Sequence, residues 1–505
     1  VSGAPDVIAV AGAGTMGAGI AQLAAAAGAR TLLHDPQPEA LKRGVRAVVD
    51  GLERWRARGR LEREPGEVVG IAAVEELAEA GLIVEAAPER LELKRELFAR
   101  FSAVAPGAVL ASNTSSIPIT AIATAAADPS RVVGMHFFNP PPLMRLLEVI
   151  AGLESSPEAL DVARATGAAM GKRVIDAADV PGFLVNRCNR PFGLEALKLL
   201  QERVADVETI DAIVRAAGFR MGPFELQDLV GIDTGFEVAL SFHELSFGEP
   251  RWRPSPLSAR MVAAGRLGRK SGRGWYAYPR DEAQEPAAPA VGGGRGRPVV
   301  VAGGLPVAGE LRELAARAGF DVRDAAGGEV PWLWVECGGA PDASGPAVLL
   351  CATGSLHGLQ GAAGRAAGFH VLPPLAESAL VELTRGPATD AEAAARAEAL
   401  FAALGKRTAW VEDAPGLVLG RIASQLVNEC CFAVGEGVGS REDVDDGMVL
   451  GLNHPRGPFA WLAAIGADHV VAVLDALRAE LGEERYRIAP LLARMSHERG
   501  ARGVP

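Results

Sequence analysis

Short aliphatic runs that empty into small polar turns recur through the first third of the chain, and they predict strands of a parallel sheet. Val7-Ile8-Ala9-Val10 runs directly into Gly12-Ala13-Gly14-Thr15-Met16-Gly17, and the Ala-rich stretch from Ala18 to Ala27 then reads as a helix. Thr31-Leu32-Leu33, Leu82-Ile83-Val84, Val109-Leu110-Ala111 and Val132-Val133 repeat the strand-into-loop pattern, while Leu91 to Phe101 carries apolar residues at helical spacing. From Pro181 to about Tyr278 the pattern turns helical, broken at Met221-Gly222-Pro223-Phe224. The stretch from Pro279 to Pro298, rich in Pro, Gly, Ala and charge, reads as a linker.

At 505 residues the chain has room for two to four domains. A formal net charge of −11 argues against a nucleic-acid or anionic-membrane binder, because counterion release needs clustered Lys and Arg. The five cysteines form no CxxC and no metal-like spacing with histidine, so no disulfide framework and no metal site is expected, and a reducing cytoplasm is the expected setting. No apolar run reaches membrane-spanning length and no signal-peptide pattern opens the sequence, so no membrane association is expected.

The first turn carries chemistry. Gly12 permits the tight bend, Gly14 lets the backbone approach a pyrophosphate, and Gly17 lets helix and strand pack closely; Thr15 and Met16 open the helix, whose free N–H groups favour an anion. Asp35 ends the second strand 23 residues after Gly12, where a carboxylate accepts from the ribose hydroxyls and repels a 2′-phosphate. The expected cofactor is therefore NAD. His34 beside it is expected to be a structural or surface residue. Asn113 and Ser115, on the loop after Val109-Leu110-Ala111-Ser112, fall where the nicotinamide half would lie.

The segment Gly134-Met135-His136-Phe137-Phe138-Asn139-Pro140-Pro141 supplies a candidate base for an alcohol dehydrogenase, and its prolines forbid a helix after it. Glu148 follows twelve residues later among aliphatics. A buried carboxylate needs a partner, and pairing with His136 would fix the imidazole tautomer.

Taken together, GAGTMGAGIA at 12–21, VEAAPE at 84–89, SNTSS at 112–116, GMHFFNPPPLMRLLEVI at 134–150, PGFLVNR at 181–187 and MGPFELQDLVG at 221–231 resemble the (S)-3-hydroxyacyl-CoA dehydrogenases of β-oxidation type. The resemblance covers about the first 280 residues. It implies His136 as general base, Glu148 as its partner, Ser115 and Asn186 as groups near the substrate oxygens, and Glu89, Lys94 and Asn113 around the cofactor. It also implies an acyl-CoA substrate, of 3-hydroxybutyryl or 3-hydroxyadipyl type, in fatty-acid or phenylacetate breakdown. CoA is expected near residues 51–60, where Arg54, Arg56, Arg58 and Arg60 offer positive charge or a solvated face, although Gly51 stands where the family often has serine. Arg145 either meets a distal carboxylate or is a surface charge. Two rival readings are a β-hydroxyacid dehydrogenase acting on a free acid, which uses a lysine base, and a non-catalytic crystallin-like relative.

The remainder echoes what precedes it. Ala414-Pro415-Gly416-Leu417 to Arg421 repeats Val180-Pro181-Gly182-Phe183 to Arg187, and Arg456-Gly457-Pro458-Phe459 repeats Met221 to Phe224. A distance of 234 residues separates both His136 from His370 and Glu148 from Glu382. Yet Gly303-Gly304-Leu305-Pro306 replaces the glycine fingerprint, Gly420 stands in place of Asn186, and Gly354 is read in place of Ser115, so His370 and Glu382 are expected to be relics. The expected fold is an α/β Rossmann domain followed by an α-helical domain, with a degenerate second copy of both. Its expected boundaries are 1–180, 181–280, a linker at 281–298, 299–413 and 414–505. Because subunits of the family meet through the helical domain, the second helical copy is expected either to form an internal pseudo-dimer or to enlarge a homo-oligomer interface.

Overall fold

A computed structural model describes residues 3–281, 286–325, 329–338, 345–360 and 365–502. Linker residues 282–285 lie outside them. In the first half, β1 (Val7–Ala11), β2 (Arg30–His34), β3 (Val68–Ile71), β4 (Leu82–Glu85), β5 (Val109–Ser112), β6 (Val132–Phe137), β7 (Leu146–Ala151) and β8 (Arg173–Ala178) form one sheet. Its order is β3-β2-β1-β4-β5-β6-β7-β8. Every neighbouring pair is parallel except β6 and β7. The strand order reverses at β1 and β4, which creates the crevice where doubly wound sheets bind ligands.

Helices α1 (Thr15–Ala26), α2 (Pro38–Ala57), α3 (Leu91–Val104), α4 (Ile119–Ala123) and α5 (Pro157–Ala169) accompany this sheet. Ile8, Val10, Leu33, Leu82, Val84 and Val133 pack with Ile20 and Leu23 of α1 in its core. Contact between α1 and α2 is close: a Cβ at Gly51 would stand 2.1 Å from Gln22 Oε1. Glycine at 51, where the family often has serine, leaves room for the Gln22 side chain between the two helices. The helical stretch holds α6 (Val185–Gln201), α7 (Val207–Ala216), α8 (Pro223–Val230), α9 (Ile232–Leu245) and α10 (Pro256–Ala263).

The second half contains β9 (Pro298–Ala302), α11 (Pro306–Arg317), β10 (Asp321–Arg323), β11 (Leu333–Glu336), β12 (Ala347–Leu350), α12 (Leu356–Gln360), β13 (Ala367–His370), β14 (Leu380–Thr384), α13 (Ala391–Ala403) and β15 (Arg407–Trp410). Its sheet runs β10-β9-β11-β12-β13-β14-β15, which is the first order without the β3 edge. Again one pair, β13 with β14, is antiparallel. Helices α14 (Leu419–Gly435), α15 (Arg441–Leu452), α16 (Pro458–Ile465), α17 (Ala467–Leu481) and α18 (Pro490–Arg502) complete the chain.

The register of the second sheet corrects one expectation. Ser112 pairs with Gly134 in the first sheet, and Leu349 pairs with Gly368 in the second. Asp179 accepts from the N–H groups of Ile119 and Thr120, just as Asp413 accepts from those of Leu356 and His357. Both correspondences put Ala352, not Gly354, at the place of Ser115. The sequence shift arises because the link into β13 differs in length from the link into β6.

Compact units do not follow chain order. One comprises residues 1–187 with 436–452, the other residues 188–435 with 453–505. The anticipated boundaries at 180, 280, 298 and 413 do not coincide with this division. Within the first unit, α15 packs on β7 and β8. Within the second, α7 packs on β14. Each sheet thus receives a helix from the other copy. The second unit also joins the two helical copies through buried ion pairs, Arg421 Nε to Glu195 Oε1 at 2.7 Å and Arg251 Nη1 to Glu429 Oε2 at 2.7 Å. Among the described residues no single helix is long and apolar enough to cross a membrane.

Candidate active site

Most of the sequence-predicted residues lie at the carboxyl ends of β1, β2, β4, β5 and β6 or on the segments that leave them, while Glu148 lies on β7 and Asn186 at the start of α6. Gly12 adopts φ +111°, and a Cβ there would lie 2.7 Å from Ala86 O. A Cβ on Gly17 would lie 1.7 Å from Gly12 O, whereas Gly14 has open space around its Cβ position. The turn is thus closed on the protein side and open on the other, with Gly14 at the N-cap of α1 and no side chain capping it. Thr15 and Met16 lie in that first turn, where unpaired N–H groups can meet a phosphate. Asp35 leans over the same turn: its Oδ2 accepts from Ala13 N at 3.0 Å and its Oδ1 from Gln37 N at 2.9 Å. These residues fit a dinucleotide with an unphosphorylated adenosine ribose. His34 is buried, with Nδ1 3.1 Å from Ile71 O, as a structural residue should be.

Around the loop after β5 the sequence had missed a central acid. Glu85 is fully buried at the end of β4, and its carboxylate accepts from Lys94 Nζ at 2.8 and 2.9 Å, Ser112 Oγ at 2.6 Å and Ala87 N at 2.6 Å. Lys94 is 1% exposed and also faces Glu89 at 3.3 Å. It therefore braces the loops rather than offering a free ammonium to a ligand. Glu89 in turn collects Thr114 Oγ1 at 2.5 Å, Ser115 N at 3.0 Å and Ser116 N at 3.2 Å. Burial opposes its charge, but Lys94 and those hydrogen bonds outweigh it and hold the carboxyl below its ordinary range. A signal existed in the sequence: an acid at a strand end followed by a lysine in the next helix. Asn113 Oδ1 accepts from Phe137 N at 2.8 Å, which ties this loop to the strand carrying His136.

The antiparallel register of β6 and β7 places His136 directly opposite Glu148. His136 Nδ1 lies 2.6 Å from Glu148 Oε2. The other carboxylate oxygen accepts from Leu184 N at 3.1 Å and Val185 N at 2.9 Å, the entry to α6. With Nδ1–H donating to the carboxylate, Nε2 is left as an acceptor. Phe138 and Phe183 flank the imidazole, with ring centroids at 4.7 and 5.8 Å. Asn186 follows in the first turn of α6, half-buried. Lys172 donates to Pro141 O and Met144 O at 2.6 Å each, bracing the loop between the two strands, and burial pushes its ammonium down to about 8.

A cleft of about 230 Å³ lies in the same unit, lined among others by Trp55, Arg60, Arg63, Pro142, Arg145 and Lys172. Of the basic residues expected near CoA, Arg60 reaches it, while Arg56 is paired with Glu64 at 2.8 Å. Arg145 is exposed on its rim. A larger cavity of about 730 Å³ in the second unit contains none of the site residues. Among the described residues no cluster of His, Cys, Asp and Glu could hold a metal ion.

A glycine turn at the switch point of a doubly wound sheet, joined to a histidine–carboxylate pair, defines an NAD-dependent dehydrogenase. The chain belongs to the 3-hydroxyacyl-CoA dehydrogenase family. Residues 7–180 match its NAD binding domain, and residues 182–278 and 416–502 each match its C-terminal domain. The chain is 35% identical over 499 residues to 3-hydroxyadipyl-CoA dehydrogenase of Escherichia coli K12, covering 96% of both chains. It is 40% identical over 289 residues to 3-hydroxybutyryl-CoA dehydrogenase of Mycobacterium tuberculosis H37Rv, covering 55% of this chain and 100% of that one. Its fold is similar to the crystal structure of 3-hydroxybutyryl-CoA dehydrogenase from Escherichia coli K12, with a TM-score of 0.84 and 32% identity across 99% of this chain and 100% of that one.

Proposed function

We propose that the first copy oxidises the 3-hydroxyl of an (S)-3-hydroxyacyl-CoA, with His136 as general base. The observation that carries this reading is the 2.6 Å contact between His136 Nδ1 and Glu148 Oε2, which leaves Nε2 to accept the hydroxyl proton. Bound NAD⁺ supplies the hydride acceptor. Glu148, fixed by two backbone N–H groups, holds the tautomer and stabilises the imidazolium that forms. Ser115 and Asn186 orient the reacting oxygens. In the reverse direction protonated Nε2 donates to the ketone. Gly12, Gly14, Thr15, Met16 and Gly17 cradle the pyrophosphate, Asp35 holds the ribose, and Asn113 bounds the nicotinamide end. Glu89 and Lys94 support that loop through Glu85, Thr114 and Ser115.

The basic cleft beside Trp55 suits the phosphates of CoA, with Arg60, Arg63 and Arg145 as the cationic groups. Likeness over both copies, to a 3-hydroxyadipyl-CoA dehydrogenase and to a structure of a 3-hydroxybutyryl-CoA dehydrogenase, supports an acyl group of one of these two types. Exchange of helices between the copies supports one active site inside an internal pseudo-dimer. All five cysteines are buried and none is in a disulfide, in keeping with a reducing cytoplasm.

The test is oxidation of NADH with a panel of 3-ketoacyl-CoA and free 3-keto acids. The expected result is activity on the CoA esters, with the highest kcat/KM for acetoacetyl-CoA or 3-ketoadipyl-CoA, and little on the free acids. Preference for a free acid, or no turnover with any member, would contradict the reading.

A further inference from the structure

Glu148 and Phe138 fix the imidazole of His136, and a segment from the far end of the sequence packs on the residues that hold Glu148 and on Phe138 itself. Residues 436–452 belong to the second copy, yet they fold within the first unit. Val438 O accepts from Ala178 N at 2.9 Å. Arg173 reaches Asp446 at 2.5 Å and Asp443 and Glu442 at 3.3 Å, and Arg187 reaches Glu436 at 2.7 Å. These contacts fix the azimuth of α15.

Three glycines of segment 436–452, two of them in α15, then bring its backbone against the groups behind the catalytic pair. A Cβ at Gly439 would stand 2.6 Å from Leu184 Cδ2, and one at Gly447 would stand 2.7 Å from Val185 Cγ2. Leu184 and Val185 are the two residues whose N–H groups hold Glu148. A Cβ at Gly451 would stand 2.8 Å from Leu146 Cδ2 and 3.3 Å from Phe138 Cε1, the ring next to His136. Gly447 and Gly451 are one helical turn apart, so both face the sheet.

We propose that segment 436–452 is a positioning element for the His136–Glu148 pair, with Gly447 and Gly451 as its positioning residues. The second copy, without chemistry of its own, sets the distance and angle at which the first copy's base works. This rests on the proposed role of His136. A side chain at Gly447 pushes Val185 and displaces the carboxylate; one at Gly451 pushes Phe138 and tilts the imidazole. Neither is among the residues proposed above to hold substrate or cofactor.

Gly447→Ala and Gly451→Ala in the full chain test this. The expected result is a fall in kcat of about 10- to 100-fold, since sub-ångström misplacement is enough for that. NADH affinity should be unchanged, and the limb of the pH–rate profile governed by the base should move. Val185→Ala, which removes the methyl facing Gly447, should restore much of the kcat lost in Gly447→Ala. Gly420→Ala serves as a comparison, because it crowds the second copy and should lower stability without lowering kcat of the folded enzyme. Unchanged kcat and pH profile in folded Gly447→Ala and Gly451→Ala, beside an inactive His136→Ala, would overturn the positioning role alone. A fully active His136→Ala would overturn the functional reading beneath it.

Discussion

The two copies of the histidine–glutamate pair share a strand register and differ in everything the histidine does. His136 faces Glu148 across β6 and β7, as His370 faces Glu382 across β13 and β14. In both copies the glutamate accepts from two backbone N–H groups at the entry to a helix, Leu184 and Val185 in one, Val418 and Leu419 in the other. Glu148 does so with one oxygen and keeps the other for His136. Glu382 spends one oxygen on each N–H. His370 has turned away: its Nε2 lies 3.1 Å from His469 Nε2, and its Nδ1 has no partner among the described residues.

A single residue accounts for the rotation. Gly420 replaces Asn186, and a Cβ at Gly420 would stand 2.1 Å from His370 Cε1. The imidazole occupies the room that a side chain would fill. Burial then pushes His370 well below its ordinary pKa and His469 down to about 4, and it pushes Glu382 up to about 8. What the second copy retains is the helix-entry acid, which serves packing. The orientation and access of the imidazole, which serve chemistry, have gone. His136 keeps 6% exposure, whereas His370 has none.

The largest expected effect separates the two histidines directly. His136→Ala should lower turnover by about 10²- to 10⁴-fold with NADH binding retained, and His370→Ala should leave kcat near wild type. Steady-state kinetics on both variants checks this, and loss of turnover in a folded His370→Ala would break the comparison.

Next in size is cofactor choice. Asp35→Ala should relax the preference for NAD over NADP by about tenfold or more, because the fixed carboxylate that repels a 2′-phosphate is gone. Equal wild-type efficiency with both cofactors would show that Asp35 does not face the ribose.

The smallest effect is a pH dependence of stability. Glu382 holds its proton in the folded chain up to about pH 8 and releases it near 4.5 when unfolded. Folded protein binds more protons in that window, so the contribution is complete below about 4.5 and is lost as the pH rises through 8. Glu382→Gln should therefore show a shallower fall in melting temperature between pH 5 and pH 8 than the wild type. Parallel curves would mean that Glu382 ionises freely.

Much of the first site was legible because it is local. The glycine turn, Asp35, and the spacing of His136 and Glu148 each lie within one strand–loop segment or one hairpin. Lys94 and Glu89 were legible as residues but not as a network, since Glu85 organises them from inside the sheet. Ala352 was misread as Gly354 because residue counting does not see loop length, whereas strand register does. Segment 436–452 left no trace in the local pattern. Amphipathic periodicity gives α15 a buried face, yet it carries no information about which sheet that face meets.

We infer that one copy binds cofactor and that the other has become scaffold. In the second turn Leu305 stands where Gly14 leaves open space, Ala308 stands in place of Gly17, and Leu305 Cγ is within 3.3 Å of the Cβ position of Gly338. Calorimetric titration of NADH into the full chain tests this most directly. One site per chain is expected, abolished by filling the first turn with Gly14→Leu. Two equivalent sites, or one site that survives Gly14→Leu, would contradict it.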